Sequence, residues 1–152
     1  MKVALVRTTL FLLLMIPSVA VAAGETLDHL NAVALAHLED KALHASPREQ
    51  SFLYTELIHV YSLLAGQQLA AGDTNQAQAT LKRIQFYIVR VQSGLTSKAK
   101  KLKSAEMLLE SASFRMNQLA HRVSTEDQPT VQATLKEMNK VHDEMLTQVF
   151  AH

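Results

Sequence analysis

The sequence has no cysteine and no tryptophan, and its 152 residues include only four glycines and three prolines. Without cysteine, the chain cannot form disulfide scaffolds, thiol active sites, cysteine-ligated zinc, iron–sulfur clusters or covalent c-type haem. Four glycines offer little material for phosphate-binding loops, and neither a P-loop nor a dinucleotide fingerprint is present. Several classes of enzyme and electron carrier are therefore excluded before any pattern is considered.

The composition is nevertheless that of a folding chain, because 48% of the residues are hydrophobic. A chain of this length fits one domain with its own core, which argues against disorder. We expect that single domain to comprise residues 24–152.

The first residues have the pattern of a secretory signal peptide. Lys2 and Arg7 precede an apolar run over 10–16, and Ala20-Val21-Ala22 supplies the small-x-small pattern that a signal peptidase reads. The run is too short to span about 30 Å of hydrocarbon, and no later stretch is long and apolar enough to do so. The sequence predicts a signal peptide over 1–23, cleaved after Ala22 or Ala23, and export to the periplasm or beyond. A retained N-terminal anchor is the alternative.

Apolar residues recur at spacings of three and four in five segments of the mature chain, and Pro, Gly, Ser and Asp separate these segments. The first helix is expected over 25–45. The second is expected from Ser46-Pro47, with Glu49 completing a capping box, to Ala71 before Gly72. The remaining predicted boundaries are Asp73 to Gly94 for the third helix, Thr96 or Ser97 as the cap of the fourth, and Ser124 or Thr125 as the start of the fifth. The predicted apolar stripes include Ala34, Leu38 and Ala42 in the first helix, Ala77, Leu81, Ile84, Ile88 and Val91 in the third, and Leu102, Ala105, Leu109, Ala112, Met116, Leu119 and Val123 in the fourth.

No segment alternates with period two, so no strand is predicted. Loops of two to five residues make consecutive helices antiparallel neighbours, and seams with a spacing near 3.5 favour shallow, coiled-coil-like crossings. The second helix is apolar on two sides and should therefore lie in the middle. The predicted fold class is all-α: an elongated antiparallel bundle of four to five long helices.

Charge is arranged in blocks along the mature chain. Residues 23–80 hold seven acidic and two basic side chains, residues 81–122 hold two acidic and nine basic, and residues 123–152 hold five acidic and two basic. Helices three and four are therefore predicted to be basic and the other three acidic. Mutual neutralisation across neighbouring helices explains most of this pattern, and each exposed pair contributes about 0–1 kcal/mol.

A lysine cluster is harder to explain by neutralisation. Lys98, Lys100, Lys101 and Lys103 are predicted to lie in the first two turns of the fourth helix, where the helix dipole disfavours cations. Free backbone N–H groups and clustered ammonium groups together favour anions. These lysines are therefore the candidate anion or partner site, and a solvated lysine face is the alternative. Nucleic acid is not an expected partner, because the mature chain is not basic overall.

The metal candidates are Glu56, His59 and His142. Glu56-x-x-His59 is the helical pair that carboxylate-bridged di-iron bundles use, but the sequence contains it only once. His142 falls between Met138 and Met145 on the seam of the fifth helix. We expect a neutral, hydrogen-bonded core histidine there, and the alternatives are a haem or copper ligand and a pH switch.

No catalytic residue is predicted. Gly-x-Ser-x-Gly is absent, and the acidic pairs Glu39-Asp40, Glu126-Asp127 and Asp143-Glu144 are adjacent residues, which point about 100° apart on a helix. They are interpreted as solubilising surface.

The leading functional hypothesis is an exported, non-enzymatic helical bundle without a cofactor, which contacts a protein partner or an anionic envelope surface. The alternatives are a metal- or haem-binding bundle and a homo-oligomeric structural bundle.

Overall fold

The computed structural model describes residues 20–96 and 98–151, and side chains from residue 31 onward. These ranges contain five helices and no strand: α1 (Ala20–His44), α2 (Pro47–Ala71), α3 (Thr74–Gly94), α4 (Leu102–Ala120) and α5 (Gln128–Val149). The predicted all-α fold class is confirmed. The predicted signal peptide lies outside the described residues, except for its last four positions, which form the first turn of α1.

Four of the helices close a ring. α2 packs against α3 and α4, and α5 packs against the same two helices from the opposite side. Within the described part of the chain, no Cα atoms of the diagonal partners α2 and α5 lie within 8 Å of each other, and the same holds for α3 and α4. α1 packs on α2 outside this ring, so α2 has three neighbours and is the central helix, as its two apolar sides predicted.

Consecutive helices are antiparallel, but α3 and α4 are not the neighbours that the sequence predicted, because seven residues connect them and let α4 pack against α2. The two contacts in the ring between non-consecutive helices are parallel. α2 and α4 run together, because Ser62 lies beside Arg115 and Gly66 beside Leu119. α3 and α5 also run together, joined by three glutamines at seven-residue spacing. Their side-chain amides donate to α5 or its N-cap, in the pairs Gln78–Asp127, Gln85–Thr134 and Gln92–Glu144.

The core follows the predicted apolar stripes in α3 and α4. Every predicted position of α3 is buried, namely Ala77, Leu81, Ile84, Ile88 and Val91. The predicted stripe of α1 is only partly buried, since Ala34 is exposed, Leu38 is half-buried and Ala42 is the one buried apolar side chain among the described α1 residues. The part of α1 whose side chains are described, residues 31–44, therefore covers the bundle from outside and contributes little to its core.

Helix ends agree with the sequence where a local signal sets them. Pro47 begins α2, and α2 ends before Gly72, whose φ of 79° is the left-handed conformation that favours glycine. At the start of α2, the Ser46 hydroxyl donates to the Glu49 carboxylate over 2.7 Å instead of capping a backbone N–H. α5 begins at Gln128, later than predicted, because Ser124 forms a turn with Asp127 before the helix starts.

Candidate functional site

The lysine cluster lies mostly before α4 and not within it. α4 begins at Leu102, so Lys98, Lys100 and Lys101 belong to the connection between α3 and α4, and only Lys103 lies in the first helical turn. The predicted cap at Thr96 is therefore wrong, while Ser97 lies outside the described residues. We call residues 98–101 the lysine loop.

Contacts with the start of α2 hold the lysine loop in place. The backbone N–H of Lys100 donates to the Arg48 carbonyl over 2.7 Å, and Arg48 Nε donates to the Lys98 carbonyl over 2.9 Å. At the end of α3, the Ser51 hydroxyl donates to the Gly94 carbonyl over 3.0 Å. These bonds join segments about fifty residues apart, so no local sequence pattern predicts them.

Two of the four ammonium groups have carboxylate partners. Lys100 Nζ lies 3.0 Å from Glu49, and Lys103 Nζ lies 2.7 Å from Glu106. The side chain of Lys98 is exposed. The ammonium of Lys101 lies 4.7 Å from the centre of the Phe52 ring, which is cation–π geometry.

A half-open cavity of about 400 Å³ lies between the lysine loop, the end of α1 and the start of α2. Small-molecule sites have volumes of about 300–1,000 Å³, so this cavity is large enough for a small ligand. It is lined by Lys41, His44, Ala45, Glu49, Phe52, Leu53, Lys100 and Lys101. The site thus joins cations to an apolar wall.

With the observed helix boundaries, the distribution of charge among the helices differs from the predicted one. α4 carries Lys103 and Arg115 against Glu106 and Glu110, so it is neutral and not basic as expected. The positive charge lies instead on α3, which has three basic residues and no acidic one, and on the lysine loop. Residues 74–105 contain no Asp or Glu at all.

His142 is hydrogen-bonded, as expected of a histidine near the core. Its Nε2 lies 3.0 Å from Glu106 Oε1 on α4. The neighbouring Val141 takes the fully buried seam position, so His142 lies at the edge of the seam and is half-buried. The hydrogen bond from Lys103 lowers the pKa of Glu106; burial opposes this effect, and the bond with His142 adds to it.

A second cavity, of about 310 Å³, opens between α4 and α5 beside His142. Ser113, Asn117 and Asn139 supply polar groups to its wall. The hydroxyl of Ser113 is buried and has no hydrogen-bond partner among the described residues.

The three metal candidates do not come together. Glu56 and His59 lie on α2 and His142 lies on α5, and these two helices are the diagonal pair of the ring. Burial lowers the pKa of His59, and the positive charge of Arg115 lowers it further. Across the described side chains, those of residues 31–96 and 98–151, no three His, Asp or Glu form a group that could hold a metal ion.

A side-chain hydrogen-bond cluster that the sequence did not predict centres on Glu39. One carboxylate oxygen, Oε1, accepts bonds from the hydroxyls of Tyr61 and Tyr87, each 2.6 Å long, and from Arg83. Burial raises the pKa of Tyr87 to about 12, and its bond to Glu39 contributes. The signal that could have revealed this cluster is the presence of tyrosines on the apolar stripe of α2, because buried hydroxyls need partners.

Comparison of the chain with protein-family models, with curated proteins and with solved structures finds no match. None of the helices in the described ranges is long and apolar enough to cross a membrane. The function is therefore argued from the site alone.

Proposed function

We propose that the protein is an exported, non-enzymatic contact protein whose lysine loop docks on an anionic partner in the cell envelope. Export rests on the signal-like pattern of residues 1–23. Docking rests on one observation: hydrogen bonds from Arg48 to the Lys98 carbonyl and from the Lys100 N–H to Arg48 hold the backbone of the loop, so its lysines project from a fixed backbone. Preorganised charges lose less conformational entropy on binding than mobile ones.

An anionic lipid surface is the partner that this arrangement suits best. Lys98 and Lys101 have no carboxylate partner in the described part of the chain, and both side chains are exposed. A lysine near an anionic membrane contributes about 1 kcal/mol of attraction. Two such lysines therefore favour binding by about 2 kcal/mol, or about thirtyfold in affinity.

Co-sedimentation with phosphatidylglycerol vesicles tests the proposal. The chain should bind these vesicles and not phosphatidylcholine vesicles, and binding should weaken as salt increases. Replacing Lys98, Lys100, Lys101 and Lys103 by Gln should reduce the affinity by about thirtyfold. The control replaces four other exposed cations by Gln, namely Lys82, Arg122, Lys136 and Lys140. Equal losses in both variants, or no loss in the first, would refute docking through the lysine loop.

Homo-oligomerisation is a second candidate, because a groove of about 680 Å³ runs between α1 and α2. Leu35, Leu38, Val60 and Leu63 give it an apolar lining, and Leu63 is 40% exposed. A second copy of the chain would cover this surface. Light scattering at increasing protein concentration tests the idea: a rising mass that Leu63→Glu abolishes supports it, and a constant monomer mass contradicts it.

A further inference from the structure

The cavity beneath the lysine loop has two kinds of wall. Ala45, Phe52 and Leu53 form an apolar floor, and Leu53 is 5% exposed. Lys41, Lys100 and Lys101 supply ammonium groups to the rim. A bare inorganic anion would leave the floor in contact with water, whereas a neutral hydrocarbon would leave the ammonium groups unmatched.

The charge balance at the rim favours an anion. Glu49 is the one carboxylate in the cavity lining, and it already accepts bonds from Lys100 and from Ser46. Lys41 and Lys101 have no carboxylate partner anywhere in the described ranges. Two positive charges therefore remain without a counterion at the mouth of an apolar cavity.

The position of Lys101 is held by an unusual backbone conformation. Its φ is 55°, the one positive φ among the described residues other than glycine, and a residue with a Cβ rarely adopts this conformation. Lys101 is the last residue of the loop and the N-cap of α4. Its ammonium group lies above the Phe52 ring. The cation and the aromatic floor of the cavity are thus already in contact.

We infer that this cavity binds a small amphipathic anion, a carboxylate or phosphate monoester that carries a single apolar chain. The apolar chain lies against Phe52 and Leu53, and the anionic head meets Lys41 and Lys101. The inference rests on the proposed anion contact at this end of the bundle and adds to it the class of ligand. Burial of the chain contributes about 25 cal/mol per Å² of apolar surface, and the ammonium groups supply charge-assisted hydrogen bonds.

Isothermal titration calorimetry of the mature chain with sodium octanoate tests the inference. Octanoate is expected to bind with one site per chain. Octanol lacks the charge and inorganic phosphate lacks the chain, so each should bind at least about tenfold more weakly. Octyl phosphate distinguishes the two head groups: tighter binding than octanoate assigns a phosphate monoester, and weaker binding assigns a carboxylate. No saturable binding of either octanoate or octyl phosphate, or binding of inorganic phosphate as tight as that of these chain-bearing anions, overturns the inference.

Two matched variants distinguish octanoate binding in the cavity from attraction to the overall positive charge of the loop. Lys101→Met keeps the length of the side chain over Phe52 but removes its charge, and should weaken octanoate binding about three- to fivefold. Lys98→Met removes the same charge from a loop lysine that does not line the cavity, and should leave binding within about twofold. Equal weakening by both variants would contradict a site in the cavity.

The outcomes also separate this inference from the proposed function. If vesicle binding depends on the four lysines but neither octanoate nor octyl phosphate binds, the cavity ligand is refuted and the docking function stands. If octanoate or octyl phosphate binds but vesicle binding does not depend on these lysines, the docking function is refuted and the cavity ligand stands. If Lys101→Met does not fold, NMR titration of the unmodified chain decides the matter: octanoate should shift the Ala45 and Leu53 methyl signals, and unchanged signals rule the site out.

Discussion

At the scale of single residues, Glu39 connects three helices through one carboxylate oxygen. It lies on α1 and accepts hydrogen bonds from Tyr61 of α2 and from Tyr87 and Arg83 of α3. Burial disfavours its charge, but the two phenol bonds and the Arg83 guanidinium outweigh burial and hold the pKa of Glu39 below its ordinary value of 4.5. The carboxylate is therefore ionised while it holds α1 against the bundle.

Removing this acceptor should destabilise the protein. Glu39→Ala leaves the hydroxyls of two buried tyrosines without an acceptor, which should reduce the free energy of unfolding by about 2–3 kcal/mol. Urea unfolding followed by circular dichroism measures the change. Asp40→Ala is the control, because that neighbouring side chain is exposed and should cost under about 0.5 kcal/mol. Equal effects of the two substitutions would contradict the role of Glu39.

The same carboxylate predicts a pH dependence of stability. Because the pKa of Glu39 is lowered by folding, its contribution is fully present above its unfolded pKa, near 4.5, and is lost as pH falls through the folded value. The difference in unfolding free energy between the natural chain and Glu39→Gln should therefore shrink below about pH 4. Urea titrations between pH 3 and 7 check this, and a constant difference would count against it.

At the scale of helices, replacing Gly66 within α2 and Gly72 at its C-cap by alanine should change the stability in opposite directions. A Cβ at Gly66 would meet Leu119 at an ordinary 3.6 Å, so Gly66→Ala should stabilise the helix by about 0.5–1 kcal/mol. Gly72 has a φ of 79°, so Gly72→Ala should destabilise by about 1 kcal/mol. Thermal and urea unfolding of the two variants provide the measurement, and changes of the same sign would show that this account of the helix end is wrong.

The buried faces and the ends of the helices were predictable wherever neighbouring residues determine them. Spacing of apolar residues predicted the buried face of α3, and Pro47 and Gly72 predicted both ends of α2. The start of α4 was not predictable, because Arg48 holds the lysine loop from a distant part of the chain and Lys101 takes a left-handed conformation. A tertiary contact there overrides the local preference for an earlier cap.

The candidate site was predictable in composition and not in geometry. The four lysines were named from charge alone, and the hydrogen-bonded state of His142 from its place near a seam. The contact of His142 with Glu106 and the contact of Lys101 with Phe52 both depend on how separate helices pack, so they could not be predicted from local sequence. Glu39 was missed because its neighbour Asp40 made the pair resemble ordinary exposed surface.

At the scale of the whole molecule, α1 is attached differently from the other four helices. α2, α3, α4 and α5 form a closed ring, whereas α1 packs along α2 and is hydrogen-bonded to α3 through Glu39, and it contributes one buried apolar side chain, Ala42, among its described residues. Parts of a structure with few buried contacts open at lower free energy than the core. α1 should therefore separate from the ring before the ring unfolds.

Amide hydrogen exchange tests this order of opening. Amides of residues 31–44 should exchange faster than those at the centres of α2 and α4. Glu39→Gln should accelerate exchange in α1 further and leave the rates near Leu109 and Met116 unchanged, because those residues are fully buried within the ring. Uniform acceleration throughout the chain would mean that α1 and the ring open together.

The stacked tyrosines give the protein a built-in optical signal. The chain has three tyrosines and no tryptophan, and Tyr87 stacks between Tyr54 and Tyr61 with ring centres 5.7 and 5.9 Å apart. A phenol that donates to a carboxylate emits weakly, because its excited state readily loses the proton. Two of the three emitters donate to Glu39 on α1, so the ultraviolet fluorescence of the unlabelled chain should brighten whenever α1 leaves the bundle.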